Sequence, residues 1–170
     1  MTDEPSPGVQ GSPAISEETS SVKARIRNLL GEQPYAVLCT QGEGQPYGSL
    51  VAFAATDELA SIVFATPKAT RKYRLLSECD HVALVIDSRS GQSDDMMQIE
   101  AVTATGRAAE VTESADFEHF SQLLIARHAQ LKDFVASPTT AVFRVDVVRY
   151  FHVTRFQEVR EWIPALGSSR

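Results

Sequence analysis

Apolar residues near the start of the chain recur at helical spacing. The recurring positions are Val22, Ile26, Leu29 and Leu30. This period predicts a first helix that begins at Ser16 and ends near Gly31, a residue type suited to a helix C-terminus. Residues 1–15 are rich in proline and glycine and poor in apolar groups, which predicts a disordered tail.

Beyond this helix, short apolar runs bounded by turn residues predict antiparallel strands. The predicted strands cover 35–41, 47–56, 60–66, 81–87, 97–111 and 139–153. Helical composition over 68–78 predicts a second helix, and helical spacing after a capping Ser114 predicts a third. Strands and helices do not alternate regularly, so the pattern favours an antiparallel barrel over a doubly wound sheet.

Two irregularities in the later strands predict local bends. Gly106 interrupts the predicted strand 97–111, and strand glycines often mark a bulge or a bend. In the last strand, the alternation of apolar and polar residues slips at Val147 and Val148. A β-bulge explains such a slip.

Length and composition exclude several classes of protein. With 170 residues, 43% of them hydrophobic, the chain suits a single domain over 16–170. The net charge of −6 argues against a nucleic-acid partner. No apolar run is long enough to span a membrane and the N-terminus is acidic, so we expect a cytoplasmic protein with no membrane association. The two cysteines, Cys39 and Cys79, do not stand at a metal-ligand spacing, and the histidines do not either. We therefore expect no metal site.

The segment from Thr66 to Lys72 concentrates cations and hydroxyls in this acidic chain. Its polar members are Thr66, Lys68, Thr70, Arg71 and Lys72. Arginine binds phosphate oxygens bidentately, lysine adds a point charge, and the N–H groups of a helix N-terminus point at an anion. The segment therefore predicts a phosphate site, although the same residues are also compatible with a solvated helix face.

This segment resembles the strand-to-helix motif T-N-Y-x-S-R-K of the pyridoxamine 5′-phosphate oxidase-like family of FMN-binding proteins. Thr66 stands at the motif's Thr, Thr70 at its Ser, and Arg71 and Lys72 at its Arg-Lys pair. The resemblance implies a mainly β (α+β) fold, an antiparallel split β-barrel with flanking helices. It also implies that Thr70, Arg71 and Lys72 hold the FMN phosphate, while Lys68 stands where the family has Tyr.

A second resemblance concerns residues 48–52, with the sequence GSLVA. They stand where the family's strand passes under the isoalloxazine ring, which implies ring contacts from the backbone of Ser49, Leu50 and Val51. Ser49 and Ala54 replace an arginine and a lysine of that strand. Ordinary sheet structure is the alternative for this stretch.

Near the C-terminus, Glu161 and Trp162 resemble the family's E-F-W region. The resemblance implies that Trp162 lies beside the flavin, and the alternative is that this single tryptophan closes the core. The R-x-H sequence with which the family enzyme grips pyridoxal phosphate has no match in residues 163–170. True pyridoxamine-phosphate oxidase activity is therefore not expected.

Taken with these residues, the resemblance implies an FMN-dependent oxidoreductase, working as a homodimer on a small-molecule substrate or with an electron donor. No residue identifies itself as a general acid or base, so the catalytic residues and the substrate stay open. The alternatives are a non-catalytic flavin-binding stress or sensor module, a deazaflavin-dependent reductase, and a haem-binding split barrel.

Overall fold

The computed structural model describes residues 13–89, 95–154 and 158–165. The helices are α1 (Pro13–Glu32), α2 (Arg71–Glu78), α3 (Ser114–Arg127) and α4 (Lys132–Ala136). The strands are β1 (Tyr35–Gly42), β2 (Gln45–Ala55), β3 (Ser61–Pro67), β4 (His81–Asp87), β5 (Ala101–Glu110), β6 (Thr140–Thr154) and β7 (Glu158–Trp162). In the part of the chain that the structure describes, no helix combines the length and apolar character needed to cross a membrane.

Six of the strands close into an antiparallel barrel. The sheet order is β3-β2-β1-β4-β5-β6-β7, and a further pairing between β3 and β6 joins the two sides. Strand β6 is 15 residues long: its first part pairs with β3, its last part pairs with β7, and β5 pairs along most of its length. The predicted antiparallel barrel is confirmed.

A bulge bends the long strand β6 between the part that pairs with β3 and the part that pairs with β7. Thr105 pairs with Arg149 and Gly106 pairs with Val147, so Val148 is the extra residue. A Cβ atom at Gly106 would overlap the backbone carbonyl oxygen of Asp146 and lie 2.9 Å from Cγ1 of Val145. The bend predicted at Gly106 and the slip predicted at Val147 and Val148 therefore belong to the same β-bulge between β5 and β6.

The barrel interior forms the main core, and α1 packs into it. Its fully buried members include Ile26, Leu38, Phe53, Leu84 and Tyr150. A second apolar cluster lies outside the barrel, where Phe120 and Leu124 of α3 pack against Val63 and Val142. Burying each such aliphatic or aromatic side chain contributes roughly 1.5–3 kcal/mol, so these two clusters set the positions of the strands.

Several details differ from the sequence prediction, including the start of α2 at Arg71 rather than Lys68. Helix α1 begins at Pro13 rather than Ser16, since a proline at the first helical position loses no hydrogen bond. Residues 1–12 of the predicted tail lie outside the described residues. Strand β5 begins at Ala101, because Met96–Gln98 forms a short 3₁₀ helix instead. The predicted cap was wrong: Ser114 is the first residue of α3, and the capping residue Glu113 makes no side-chain capping bond.

Candidate functional site

The predicted phosphate segment spans the end of β3 and the start of α2, and a hydroxyl network shapes the turn between them. The hydroxyl of Thr70 accepts the backbone N–H of Tyr73 at 3.2 Å and donates to the carbonyl oxygen of Pro67 at 2.9 Å. Since that uses its only proton, the fully buried Thr66 must donate to Thr70 across their 3.1 Å separation. Both threonines therefore position the helix N-terminus, and neither offers a free proton to a ligand.

Arg71 and Lys72 open α2 directly after this cap. The guanidinium of the exposed Arg71 lies over the ring of Tyr47, with 5.0 Å between its Cζ atom and the ring centroid. That position links the helix to the early part of β2 and fixes where the charge stands. Sequence reasoning missed Tyr47, because only the folded hairpin brings this strand beside α2.

Lys72 reaches the middle of β2. Its Nζ atom lies 3.5 Å from the carbonyl oxygen of Leu50, and the side chain is half-buried. Burial removes water from the ammonium and so lowers the pKa of Lys72 below the ordinary lysine value. The charged form is therefore held in a place where an anionic partner would stabilise it.

The cations of this segment differ in their partners. Lys68 forms an ion pair with Glu110 at 3.7 Å, and the hydroxyl of Tyr73 donates to the same carboxylate at 3.0 Å. Among the described residues, Arg71 and Lys72 form no ion pair with a carboxylate. The structure thus separates Lys68, which neutralises Glu110, from two cations that remain available to a ligand.

The β2 residues of the predicted ring site alternate in burial. Leu50 is 67% exposed, whereas Val51 is buried in the barrel core. The Ser49 hydroxyl oxygen is also buried, and it has no hydrogen-bond partner among the described residues. Only Leu50 of these three side chains can therefore meet a ligand on the outer face, and it stands beside the Lys72 ammonium.

Trp162 lies apart from these residues. Around the closed barrel, β6 and β3 lie between its strand β7 and β2. The Trp162 side chain is 8% exposed and packs against Tyr150 with ring centroids 5.6 Å apart, while Nζ of Lys23 lies 5.5 Å from the ring centroid. Within this chain, Trp162 closes the core beside α1, and the structure does not bring it together with the phosphate segment.

Solved structures of other proteins share the fold of this chain. Three solved structures illustrate the similarity: a heme binding protein from Mycobacterium smegmatis, General Stress Protein 26 from Bacillus anthracis and a FAD-binding protein from Mesorhizobium loti. Their TM-scores are 0.72, 0.62 and 0.61, at 19%, 14% and 14% identity. The matches cover 91%, 84% and 76% of this chain. They span 59%, 98% and 91% of those proteins, so this chain corresponds to little more than half of the heme binding protein.

At these identities the likeness shows a shared fold, and it leaves the ligand open. No curated protein matches the chain by sequence. The family model described as pyridoxamine 5′-phosphate oxidase matches residues 22–154, from Val22 in α1 to the end of β6. That match includes all six barrel strands and the phosphate segment, while the extra strand β7 lies outside it. The chain therefore belongs to the pyridoxamine 5′-phosphate oxidase family of split β-barrels.

Proposed function

We propose that this chain is an FMN-binding protein and that it works as a flavin-dependent oxidoreductase. Lys72 is the main support for the proposal. Its ammonium is half-buried, lies against a backbone carbonyl, and has no carboxylate partner among the described residues. A desolvated cation in this position is stabilised by a bound anion, and a phosphate at a helix N-terminus supplies one.

The residues present fit a phosphate group. Helix α2 leaves the N–H groups of its first turn without intrahelical partners, and the Thr70 cap uses the one from Tyr73. The N–H groups of Arg71 and Lys72 remain, and the two side chains add two positive charges. Because Glu110 is neutralised by Lys68, its carboxylate does not oppose a phosphate dianion.

The outer face of β2 would receive the ring. Leu50 offers an exposed apolar side chain, and its neighbours offer backbone groups for a polar ring edge. When bound, FMN supplies hydride and electron transfer, while the protein supplies position and electrostatics. In this arrangement, Arg71 and Lys72 would hold the phosphate, and Leu50 would keep water from the ring.

We also propose that a second copy of the chain completes this site. The outer face of β2, β1 and β4 carries the exposed Leu50 and the half-buried Val37 and Val85, which pair across neighbouring strands. An apolar sheet face of this kind is stabilised by a partner that covers it. A stable homodimer would bury upward of about 2,000 Å² in total.

Haem is the main competing ligand, since one protein of the same fold is named as heme binding. The histidine considered as a haem ligand is His152 in β6, which is buried and only 1% exposed. Its Nε2 atom lies 3.3 Å from the carboxylate of Glu100. An axial ligand to haem iron needs an accessible imidazole nitrogen, so the buried His152 does not support the haem alternative.

The decisive experiment identifies the ligand and then tests turnover. The protein is purified, the mass and absorbance spectrum of any co-purifying ligand are recorded, and ligand-free protein is titrated with FMN, riboflavin, hemin and a deazaflavin. We expect flavin absorbance and the tightest binding for FMN. A Soret band with tighter hemin binding, or preference for the deazaflavin, would contradict the proposal. Bleaching of bound FMN by NADH or NADPH on the timescale of turnover supports an oxidoreductase, and its absence supports a non-catalytic flavin module.

A further inference from the structure

The loop between α2 and β4 consists of Cys79 and Asp80, and it brings three metal-ligating groups together beside His81. The thiol sulfur, a carboxylate oxygen and a ring nitrogen all lie within 4.8 Å of one another. Sγ of Cys79 is 3.9 Å from Nδ1 of His81, and Oδ1 of Asp80 is 3.2 Å from the same nitrogen. Three different donor types thus surround one point at the protein surface.

Backbone hydrogen bonds hold this loop in place. The N–H of Cys79 donates to the carbonyl oxygen of Leu75 at 2.9 Å, and the carbonyl oxygen of Asp80 accepts the N–H of Ala108 at 2.8 Å. Cys79 itself is extended, with φ −145° and ψ 121°, so the side chains of Cys79 and His81 tend to project to the same side. The chain therefore orients the donors without help from an ion.

Two of the three donor separations are close to those of ligands around zinc, and the third is no more than 4.8 Å. Zinc lies about 2.3 Å from thiolate sulfur and about 2.0–2.2 Å from imidazole nitrogen or carboxylate oxygen. Tetrahedral angles then place sulfur roughly 3.5–3.7 Å from a nitrogen or oxygen ligand, and place nitrogen and oxygen ligands roughly 3.3–3.5 Å apart. The 3.9 Å and 3.2 Å separations are close to these ranges. We propose that Cys79, Asp80 and His81 form a Zn²⁺ site with one open coordination position.

Two neighbouring side chains, those of Gln41 and Arg107, contact two of the three donor groups. The side-chain amide of Gln41 lies 3.6 Å from Sγ of Cys79 and donates toward it, which helps to fix where the sulfur stands. One guanidinium nitrogen of Arg107 lies 2.8 and 3.0 Å from the two carboxylate oxygens of Asp80. Arg107 thus competes with the metal for Asp80, but this exposed pair contributes little and is displaced at low cost.

The site lies at the rim of a cleft on the outer face of the barrel. His81 and Arg107 line this cleft together with Cys39, and its volume is about 570 Å³. The open coordination position is therefore accessible to water or to a small anionic ligand. The spacing rules for metal motifs missed this trio because its three residues are consecutive, and only the bend from helix to strand brings their donor atoms together.

Cobalt substitution tests the site directly. Co²⁺ is added to the full-length, reduced protein, and the spectrum is recorded as a difference from the same sample without metal. We expect the visible bands of tetrahedral cobalt and a sulfur-to-cobalt charge-transfer band at one ion per chain, with Zn²⁺ displacing the cobalt. Cys79→Ser should abolish the charge-transfer band, and His81→Gln should weaken binding more than roughly tenfold, as loss of even an outer-shell partner does.

Two matched variants make the result specific. Cys39→Ser removes the other cysteine and should leave the cobalt spectrum unchanged. Arg107→Gln frees Asp80 and should tighten binding roughly twofold to fivefold, the scale of an exposed ion pair. His81 is exposed, so its variant should fold, which far-UV circular dichroism checks. Octahedral cobalt without a charge-transfer band, or a band lost in Cys39→Ser and kept in Cys79→Ser, overturns the proposal.

Discussion

The side-chain nitrogen of Lys72 lies 3.5 Å from the backbone carbonyl oxygen of Leu50, and this contact joins the first turn of α2 to the outer face of β2. If that ammonium meets the FMN phosphate, Lys72→Ala removes charge-assisted hydrogen bonds that contribute roughly 1.5–3 kcal/mol. FMN affinity should then fall by about one to two decades, while riboflavin, which has no phosphate, should bind nearly as before. Fluorescence titration of both flavins measures the difference.

Arg71→Ala should give the same selective loss of FMN. Arg74→Ala is the matched control, because Arg74 lies on the same helix but is exposed and paired with Glu78 at 3.8 Å. It should change neither affinity. An equal loss of both flavins in the Arg71 or Lys72 variant would indicate a damaged fold, and no change for either flavin would mean that these cations form only a solvated helix face.

The lowered pKa of Lys72 predicts how FMN binding depends on pH. A bound phosphate favours the ammonium, so binding raises this pKa and takes up a proton. Affinity should be full below the pKa of the ligand-free protein and should fall as pH rises through it, beginning below the 10.5 of an ordinary lysine. Lys72→Arg keeps its charge over this range, so its affinity for FMN should not fall as pH rises. The affinity of the wild-type protein for riboflavin, which has no phosphate, should not fall either. Titrations across the alkaline range distinguish these curves.

Gly106→Ala should destabilise the barrel, because the added Cβ would overlap the carbonyl oxygen of Asp146 at the bulge. Backbone atoms cannot move aside as a flexible side chain does, so we expect a loss of roughly 1–3 kcal/mol in the free energy of unfolding. Gly48→Ala is the control, since its Cβ would meet only Val37 at an ordinary 3.6 Å. Urea unfolding of both variants tests this, and equal stabilities would refute it.

Thr70→Ala should loosen the start of α2, because the hydroxyl caps the N–H of Tyr73 and joins Thr66 to Pro67. Loss of such a cap costs roughly 0.5–2 kcal/mol in the free energy of unfolding. Thr70→Ser keeps the hydroxyl and should restore most of that stability. If Thr70→Ser is destabilised as much as Thr70→Ala, the methyl group of Thr70 rather than its hydroxyl cap stabilises this turn.

The proposed homodimer predicts a response to charge on its apolar face. Val85→Asp places a carboxylate on the outer face of β4 and should shift a stable dimer toward monomer in analytical ultracentrifugation. Ala24→Asp, at an exposed position of α1, should leave the dimer intact. A wild-type protein that is monomeric at full FMN occupancy would contradict the proposal.

Much of this protein is determined by local sequence pattern. The helical spacing of Val22 and Ile26 identifies α1, and the phase slip at Val148 locates the bulge. The segment from Thr66 to Lys72 also marks the start of α2 from sequence, since helix capping and helix-terminal charge involve residues within one turn. Such features need no knowledge of distant contacts, which is why they could be predicted.

The tertiary structure alone decided which of these residues act together. Closure of the barrel between β3 and β6 and the extra strand β7 depend on pairing between segments far apart in the chain. The same folding turns Lys68 toward Glu110 and Lys72 toward Leu50, although both lysines look equivalent in sequence. It also places Trp162 in the core. A side chain's partner is set by what the fold brings within a few ångströms, and the local pattern carries no record of those neighbours.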